Sequence, residues 1–340
     1  MAADGQRRTD KELIRASNAF AQENRLLSWW HMWSTLLLIA IGAWLAAQPG
    51  PSWQRTFLGV LCGLLTVRGF IIYHDYMHGA ILRNSSVARL VLDAFGLLVL
   101  TPPKVWAQTH NYHHAHTAKI VGSHVGSFIM MTTEMWAQAT PQQRLMYRIR
   151  RAPMTIALGY LTVFLYGFCM AAFMRNPQKN KDSAMSIGVH LALLLGIGYA
   201  WGGATLFYAF LLPNFVSHAL GAYLFYAQHN FPEAHIQPRE EWTFVRASLE
   251  SSSYMRLGPV MRFFTGNIGY HHVHHLNHRI PFYRLPEAMA AIPELQEPRG
   301  VTSLAPSDIV ACLRLKLWDP QQQRLVPYPD GEEHVALATK

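Results

Sequence analysis

Two widely separated copies of the pattern H-x-x-H-H restrict this chain more than any other feature. The first comprises His110, His113 and His114, and the second His271, His274 and His275. His74 and His78 lie four apart, and His229 stands alone between the triplets. Histidine is 18 of 340 residues. At that frequency an H-x-x-x-H pair arises about once by chance, but H-x-x-H-H only ~0.05 times. Positions i, i+3 and i+4 share one helix face, so each triplet can aim two or three ring nitrogens at a single point. Imidazole is the commonest protein ligand for transition metals, and nine such ligands are too many for one ion and about right for two.

Composition sets the medium. Apolar residues make up 51% of the chain and charged residues only 14%, against ~25% charged in a soluble domain. This predicts an all-α integral membrane protein. No linker or internal repeat divides it. We therefore expect a cytosolic N-terminal helix over 1–28, one membrane domain over 29–290 and a cytosolic C-terminal tail over 291–340. Residues 1–28 are polar and charged, so no cleavable signal peptide is expected. Thr9 with Glu12 fits a capping box opening a helix through Arg25, and Trp29, Trp30 and Trp33 mark an interfacial belt. The net charge of +9 fits the positive excess of cytoplasmic loops. No basic stripe interleaved with aromatics points to nucleic acid, so no nucleic-acid partner is expected. Cys62, Cys169 and Cys312 are odd in number and scattered, which suggests neither a disulfide framework nor a thiolate metal site.

Convergence of the histidines constrains topology by parity. Apolar runs cover about 32–48, 56–73, 86–100, 154–174 and 186–227. The last is twice the length of a span, with Trp201-Gly202-Gly203 near its middle, and reads as a hairpin. If His78 and His110 end on one membrane side, 86–100 does not cross. If His114 and His229 do, the hairpin supplies two crossings and 154–174 is re-entrant or interfacial. Arg144, Arg148, Arg150 and Arg151 before it, and Arg175, Lys179 and Lys181 after it, place both its ends in the cytoplasm. The expectation is four transmembrane helices under a cytosolic helical cap that carries the histidine site, with both termini cytoplasmic. Residues 307–317 predict an amphipathic helix with Ser307 as N-cap, lying on the membrane or simply packed.

Neutral imidazoles in this number suit two octahedral ions better than tetrahedral zinc or planar copper and nickel, so iron is favoured. Asp75, adjacent to His74, is a candidate partner for an imidazole N–H. Asn267, four before His271, is a second candidate, though a loop or capping role is equally open to it. Arg68 lies inside the second span, either functional or snorkelling. His116, His124, His235, His272 and His278 crowd the site without an assigned ligand role, and His31, His190, His218 and His334 read as structural or solvated.

The segments HDYMHG (74–79), HNYHH (110–114), FYAQHNFPE (225–233) and GNIGYHHVHHLNHRIPFYRLPE (266–287) resemble the integral-membrane fatty acid desaturase family, in its bacterial acyl-lipid branch, over roughly 55–290. The resemblance implies four spans under a cytosolic cap. It implies that His74, His78, His110, His113, His114, His271, His274 and His275 hold two iron ions, with His229 as the ninth ligand. The implied reaction takes O2 and two electrons, removes two hydrogens from a membrane-lipid acyl chain to leave a cis double bond, and releases water. Some members carry an Asn one turn before the lone histidine; here that position is Phe225. No fused cytochrome b5 segment is visible, which implies a separate ferredoxin-like donor; Arg144, Arg148 and Arg279 could dock it or anchor to lipid headgroups. The implied location is a bacterial cytoplasmic membrane, with the site on the cytoplasmic face. A carotenoid or lipid hydroxylase or ketolase of the same superfamily is the competing enzyme. A membrane metal transporter is the competing reading of another class, although its ligands belong in mid-span.

Overall fold

Three helices dictated by uninterrupted apolar runs organise the molecule, whose computed structural model describes residues 8–120 and 127–329. Arg25–Ala47, Ser52–Met77 and Lys181–Ala227 are long and apolar enough to cross a membrane. A bent pair, Ser86–Leu98 with Pro103–Ala115, would make a fourth if counted as one span. In chain order the helices used below are α1 (Asp10–Ser17), α2 (Arg25–Ala47), α3 (Ser52–Met77), α4 (Ser86–Leu98), α5 (Pro103–Ala115), α6 (Pro141–Arg150), α7 (Lys181–Leu206), α8 (Leu212–Ala227), α9 (His271–Leu276) and α10 (Pro306–Arg314).

A straight helix over 181–227 would be ~70 Å long, but the chain breaks at Gly202, where φ is 79° and ψ 171°. Glycine adopts this backbone without steric cost. The limbs then lie side by side: the His190 and Phe210 rings are 4.9 Å apart. The turn at Gly202 meets the α2–α3 turn, since Thr205 donates to the carbonyl of Ala47 at 3.4 Å. The opposite ends of α3 and α8 lead directly to His78 and His229. Close helix approach rests on Gly59 and Gly63 of α3. A Cβ there would stand 2.7 Å from the Tyr208 carbonyl and 2.7 Å from Val216 Cβ, the small-residue packing expected in an apolar medium.

The α4–α5 pair bends by 89°, exposing backbone carbonyls that lipid cannot satisfy. Buried side chains take them up instead. Ser186 donates to Leu97 O at 2.6 Å, His218 Nε2 to Val99 O at 3.0 Å, and Tyr73 to Thr101 O at 2.9 Å. The segment 153–175 also turns back. It starts beside Asn230, which Arg151 contacts at 2.5 Å. It continues as a π-helix over Tyr160–Ala171, with Tyr160 bonded to His190. It returns towards the start of α7, where Ser183 donates to Phe168 O at 3.2 Å and Asn180 to Ala172 O at 2.7 Å.

At the histidine end sits a cap of short helices with, among the described residues, five short strands, β1 (Met131–Thr132), β2 (Tyr254–Met255), β3 (Val301–Thr302), β4 (Leu317–Asp319) and β5 (Arg324–Val326). They form a three-stranded sheet, β1-β4-β5, and a parallel pair, β2-β3. The all-α expectation is corrected to that extent: segments of two or three residues leave no hydrophobic periodicity to read. Residues 317–326 form the β4–β5 hairpin, with Trp318 opposite Leu325. The amphipathic helix ends at Arg314 rather than 317. Ala305 is its N-cap and Pro306 its first residue, so Ser307 lies inside it and is not its cap. The Thr9–Glu12 capping box is present, but α1 stops at Ser17 and Asn24 caps a new helix. His124 and His334 fall outside the described residues.

Candidate metal centre

Four separate elements deliver the nine imidazoles to one buried place. His74 and His78 end α3, the first triplet occupies the last turns of α5, the second triplet is α9, and His229 follows α8. Their Nε2 atoms form two groups. In one, His74 approaches His110 at 2.9 Å and His78 at 3.3 Å, His110 approaches His114 at 3.1 Å, and His114 approaches His274 at 3.1 Å. In the other, His229 lies 3.0 Å from both His113 and His271, and His275 lies 3.1 Å from His271. Each triplet therefore gives its i, i+4 pair to one group and its middle histidine to the other. His110 and His114 are joined by His274; His271 and His275 are joined by His113.

These approaches cannot all be hydrogen bonds, because a neutral imidazole has one N–H to give. His229 Nδ1 lies 2.9 Å from the backbone carbonyl of Ser251, which can only accept. Its N–H is therefore on Nδ1, and Nε2 presents a lone pair to two other Nε2 atoms. Lone pairs converging in this way fit a cation. With metal–nitrogen bonds of ~2.1 Å, ligands at right angles stand ~3.0 Å apart and tetrahedral ones ~3.4 Å. Most of the observed spacings match the first. The donor set thus fits two ions of higher coordination number better than tetrahedral zinc.

Burial favours the neutral ring at His229, His271, His274 and His275. It pushes His229 down to about 4, against a weaker opposing effect of its bond to Ser251. His271, His274 and His275 fall well below the ordinary histidine range, first through burial and then through neighbouring imidazoles. Partners orient some of the rings. Asp75 Oδ1 is 3.1 Å from His74 Nδ1, while its Oδ2 accepts from the Phe282 backbone N–H at 2.6 Å. Thr117 Oγ1 is 3.1 Å from His275 Nδ1. Thr117 and Ser251 were not singled out by the sequence reading, since no motif marks a hydroxyl or a carbonyl that is adjacent only in space.

Asn267 does not reach an imidazole. Its amide donates to the carbonyl of Phe282 at 3.2 Å, and its φ of 56° follows Gly266 at 50°. Two successive left-handed residues form the turn before α9, a conformation asparagine tolerates. Arg68 does not snorkel. It is buried, donates to Phe263 O at 2.5 Å and stacks on the Phe263 ring at 4.2 Å. Among the crowding histidines, His272 turns away to Leu295 O at 3.0 Å, His116 to Tyr112 O at 2.9 Å and His235 to Glu250 at 2.8 Å. The His278 ring lies 4.7 Å from that of His78, at the edge of the cluster.

A cavity of about 600 Å³ reaches the site from within the helices. Phe70, Ile71, Trp106, Leu224 and Phe225 line it, together with His74, His110, His113, His229 and His271. Phe225 packs against Phe70 and Trp106, with centroids 5.9 and 5.6 Å away, and so contributes apolar wall rather than an amide. A second, smaller pocket shares Val67, Phe70 and Gly221 with it and is also lined by Ser217 and His218. Together they make an apolar path running from the histidines into the helix bundle.

The chain is similar to known proteins. The chain is 30% identical over 326 residues to a fatty acid desaturase of Bacillus subtilis (strain 168), covering 94% of this chain and 90% of the relative. It is 24% identical to an sn-1 oleoyl-lipid 12-desaturase of Synechocystis sp., covering 78% of this chain and 76% of that protein. It is also 24% identical to an sn-1 acyl-lipid omega-3 desaturase (ferredoxin) of Nostoc sp., covering 66% and 63% respectively. Residues 51–304, most of the chain and all nine clustered histidines, match the fatty acid desaturase family. The apolar helices, the histidine cluster and this match establish that the chain is a membrane oxidoreductase belonging to the fatty acid desaturase family.

Proposed function

We propose that this protein uses O2 to introduce a cis double bond into the acyl chain of a membrane lipid, with His74, His78, His110, His114 and His274 holding one iron ion and His113, His229, His271 and His275 the other. The observation that carries this reading is the apolar path from both histidine groups into the bundle, which suits a long hydrocarbon and no polar substrate. Two bound iron ions would supply the oxidant that removes hydrogen from an unactivated C–H bond. The chain's own residues do the rest. Phe70, Trp106 and Phe225 exclude water and hold the methylene chain beside the imidazoles. Asp75 and the Ser251 carbonyl fix the rings of His74 and His229 by bonding their Nδ1 atoms.

In this reading α2, α3 and the two limbs of the hairpin make four crossings, while the α4–α5 bend and 153–175 enter and return on the histidine side. That side and both termini face the cytoplasm of a bacterial cell, in line with the basic residues flanking 154–174. The catalytic domain is 29–290, with 1–28 as an N-terminal helix region. The segment 291–340 is a cytosolic extension whose strands β3 and β4 strap it to the cap. Electrons come from a separate ferredoxin-like protein, a reading supported by the Nostoc relative's name.

The ligands lie at helix ends rather than in mid-span, which disfavours a metal transporter. Expression in a host that makes only saturated acyl chains, followed by mass spectrometry of its lipids, tests the function. Acyl chains lacking two hydrogens are expected. Chains that gain an oxygen would replace this reading with the hydroxylase, and unaltered lipids in the presence of iron, O2 and reductant would end it.

A further inference from the structure

The path past the histidines changes polarity along its length. Beyond His113 and His229, on the side away from Ser217 and His218, a third cavity of about 550 Å³ shares Phe225 with the apolar one. Its wall carries Arg151, Asn230, Ser127 and Ser251.

Arg151 is only 1% exposed. Its guanidinium donates to Ile129 O at 2.8 Å, Asn230 Oδ1 at 2.5 Å, Tyr226 Oη at 3.2 Å and Leu315 O at 3.5 Å. None of these partners carries a negative charge, and among the described residues Arg151 Nε has no hydrogen-bond partner. A buried charge held by neutral groups alone is costly, and an anion brought to it repays that cost. Guanidinium is also the side chain best shaped to take phosphate oxygens. One arm of the path is thus apolar, and the wall of the other, which His113 and His229 also line, holds a fixed cation whose partners are all neutral, the Tyr226 and Tyr147 rings included.

From this juxtaposition the geometry points to Arg151 as the anchor for an anionic phosphate at the headgroup end of the acyl donor, with the acyl chain running past His113 and His229 into the pocket that His218 lines. The inference rests on the acyl-lipid reading above and names the chemical class of that substrate. It also sets its direction: phosphate on the Arg151 side, methyl end between Val99, Phe164 and Ser217.

The purified protein in lipid nanodiscs, given one and the same acyl chain on three donors, tests this. The donors are a phosphatidylglycerol, a diglucosyl diacylglycerol without phosphate, and a coenzyme A thioester. Retention is read by native mass spectrometry and turnover by product analysis. A preference of about tenfold or more for either phosphate-bearing donor over the glycolipid is expected. The favoured one tells whether the phosphate belongs to a bilayer lipid or to a soluble carrier. Arg151→Gln should remove the preference by raising KM with little change in kcat, and Arg151→Lys should restore part of it. Because Arg151 also pins two backbone carbonyls and two buried side chains, the wild-type donor series reads the proposal without relying on the folding of either variant. Equal retention and turnover of glycolipid and phospholipid by the wild-type protein would overturn it. Absence of unsaturated product from every donor would sink the desaturase reading instead, while lipid retention would still report on Arg151.

Discussion

His274 places its Nε2 3.1 Å from that of His114, on a different helix, and not with His271 and His275 of its own. His113 crosses in the opposite sense to His229 at 3.0 Å. The two crossed residues knit α5 and α9 into one unit, so each is expected to matter to its group out of proportion to its number. Replacing either with Ala should abolish unsaturated product and lower iron below two per chain, with membrane insertion unchanged. Full activity in either variant would refute the assignment of ligands.

Asp75 bridges His74 Nδ1 and the Phe282 N–H, 3.1 and 2.6 Å away. Carboxylates that orient metal-bound imidazoles are worth about 10–100-fold in metal affinity or activity. Asp75→Asn should therefore retain iron poorly on dialysis against a chelator and lose activity by about that factor. Asn267→Gly, which removes the bond to Phe282 O and keeps the left-handed backbone unstrained, should leave iron affinity intact. Equal iron loss in both variants would contradict the separate roles.

Gly221 lines both apolar cavities, and a Cβ on it would meet Phe164 at 3.3 Å. Gly221→Val narrows the passage between them without touching a histidine. Conversion of long acyl chains should fall about tenfold or more relative to short ones, since pocket volume discriminates at that scale. Iron content should not change. A uniform loss across chain lengths would show that the smaller pocket is not part of the substrate path.

Gly63 of α3 has no room for a side chain: a Cβ would stand 2.7 Å from Val216 Cβ and 2.9 Å from the Pro213 carbonyl. Overpacking at such a contact costs about 1–3 kcal/mol. Gly63→Ala should lower the thermal midpoint of the detergent-solubilised protein. Gly188→Ala, on a helix with nothing within 4 Å, should hold or raise it, because alanine is the better helix former by ~1 kcal/mol. Equal midpoints would show that α3 and α8 have slack at this contact.

Much of the site was legible because ligand spacing on a helix is a local property. His110, His113 and His114 lie within two turns, and so do His271, His274 and His275. The break near Gly202 was legible for a related reason, since 186–227 is about twice as long as a single span needs to be. Other features were not. Thr117 and Ser251 reach His275 and His229 through space alone. The strands at 131–132 and 317–326 are too short to show a period, and Asn267 sits at a suggestive spacing but is turned to Phe282 by its left-handed backbone.

Residue types and their intervals determined that this chain is apolar enough to enter a membrane and carries histidines at metal-ligand spacing. Only the tertiary structure decided which imidazoles converge, which neutral groups hold the buried Arg151, and where apolar side chains line a pocket beside the histidines. The physical reason is that helical periodicity relates residues three and four apart, whereas the pairing of His114 with His274 depends on how four distant segments pack around one another.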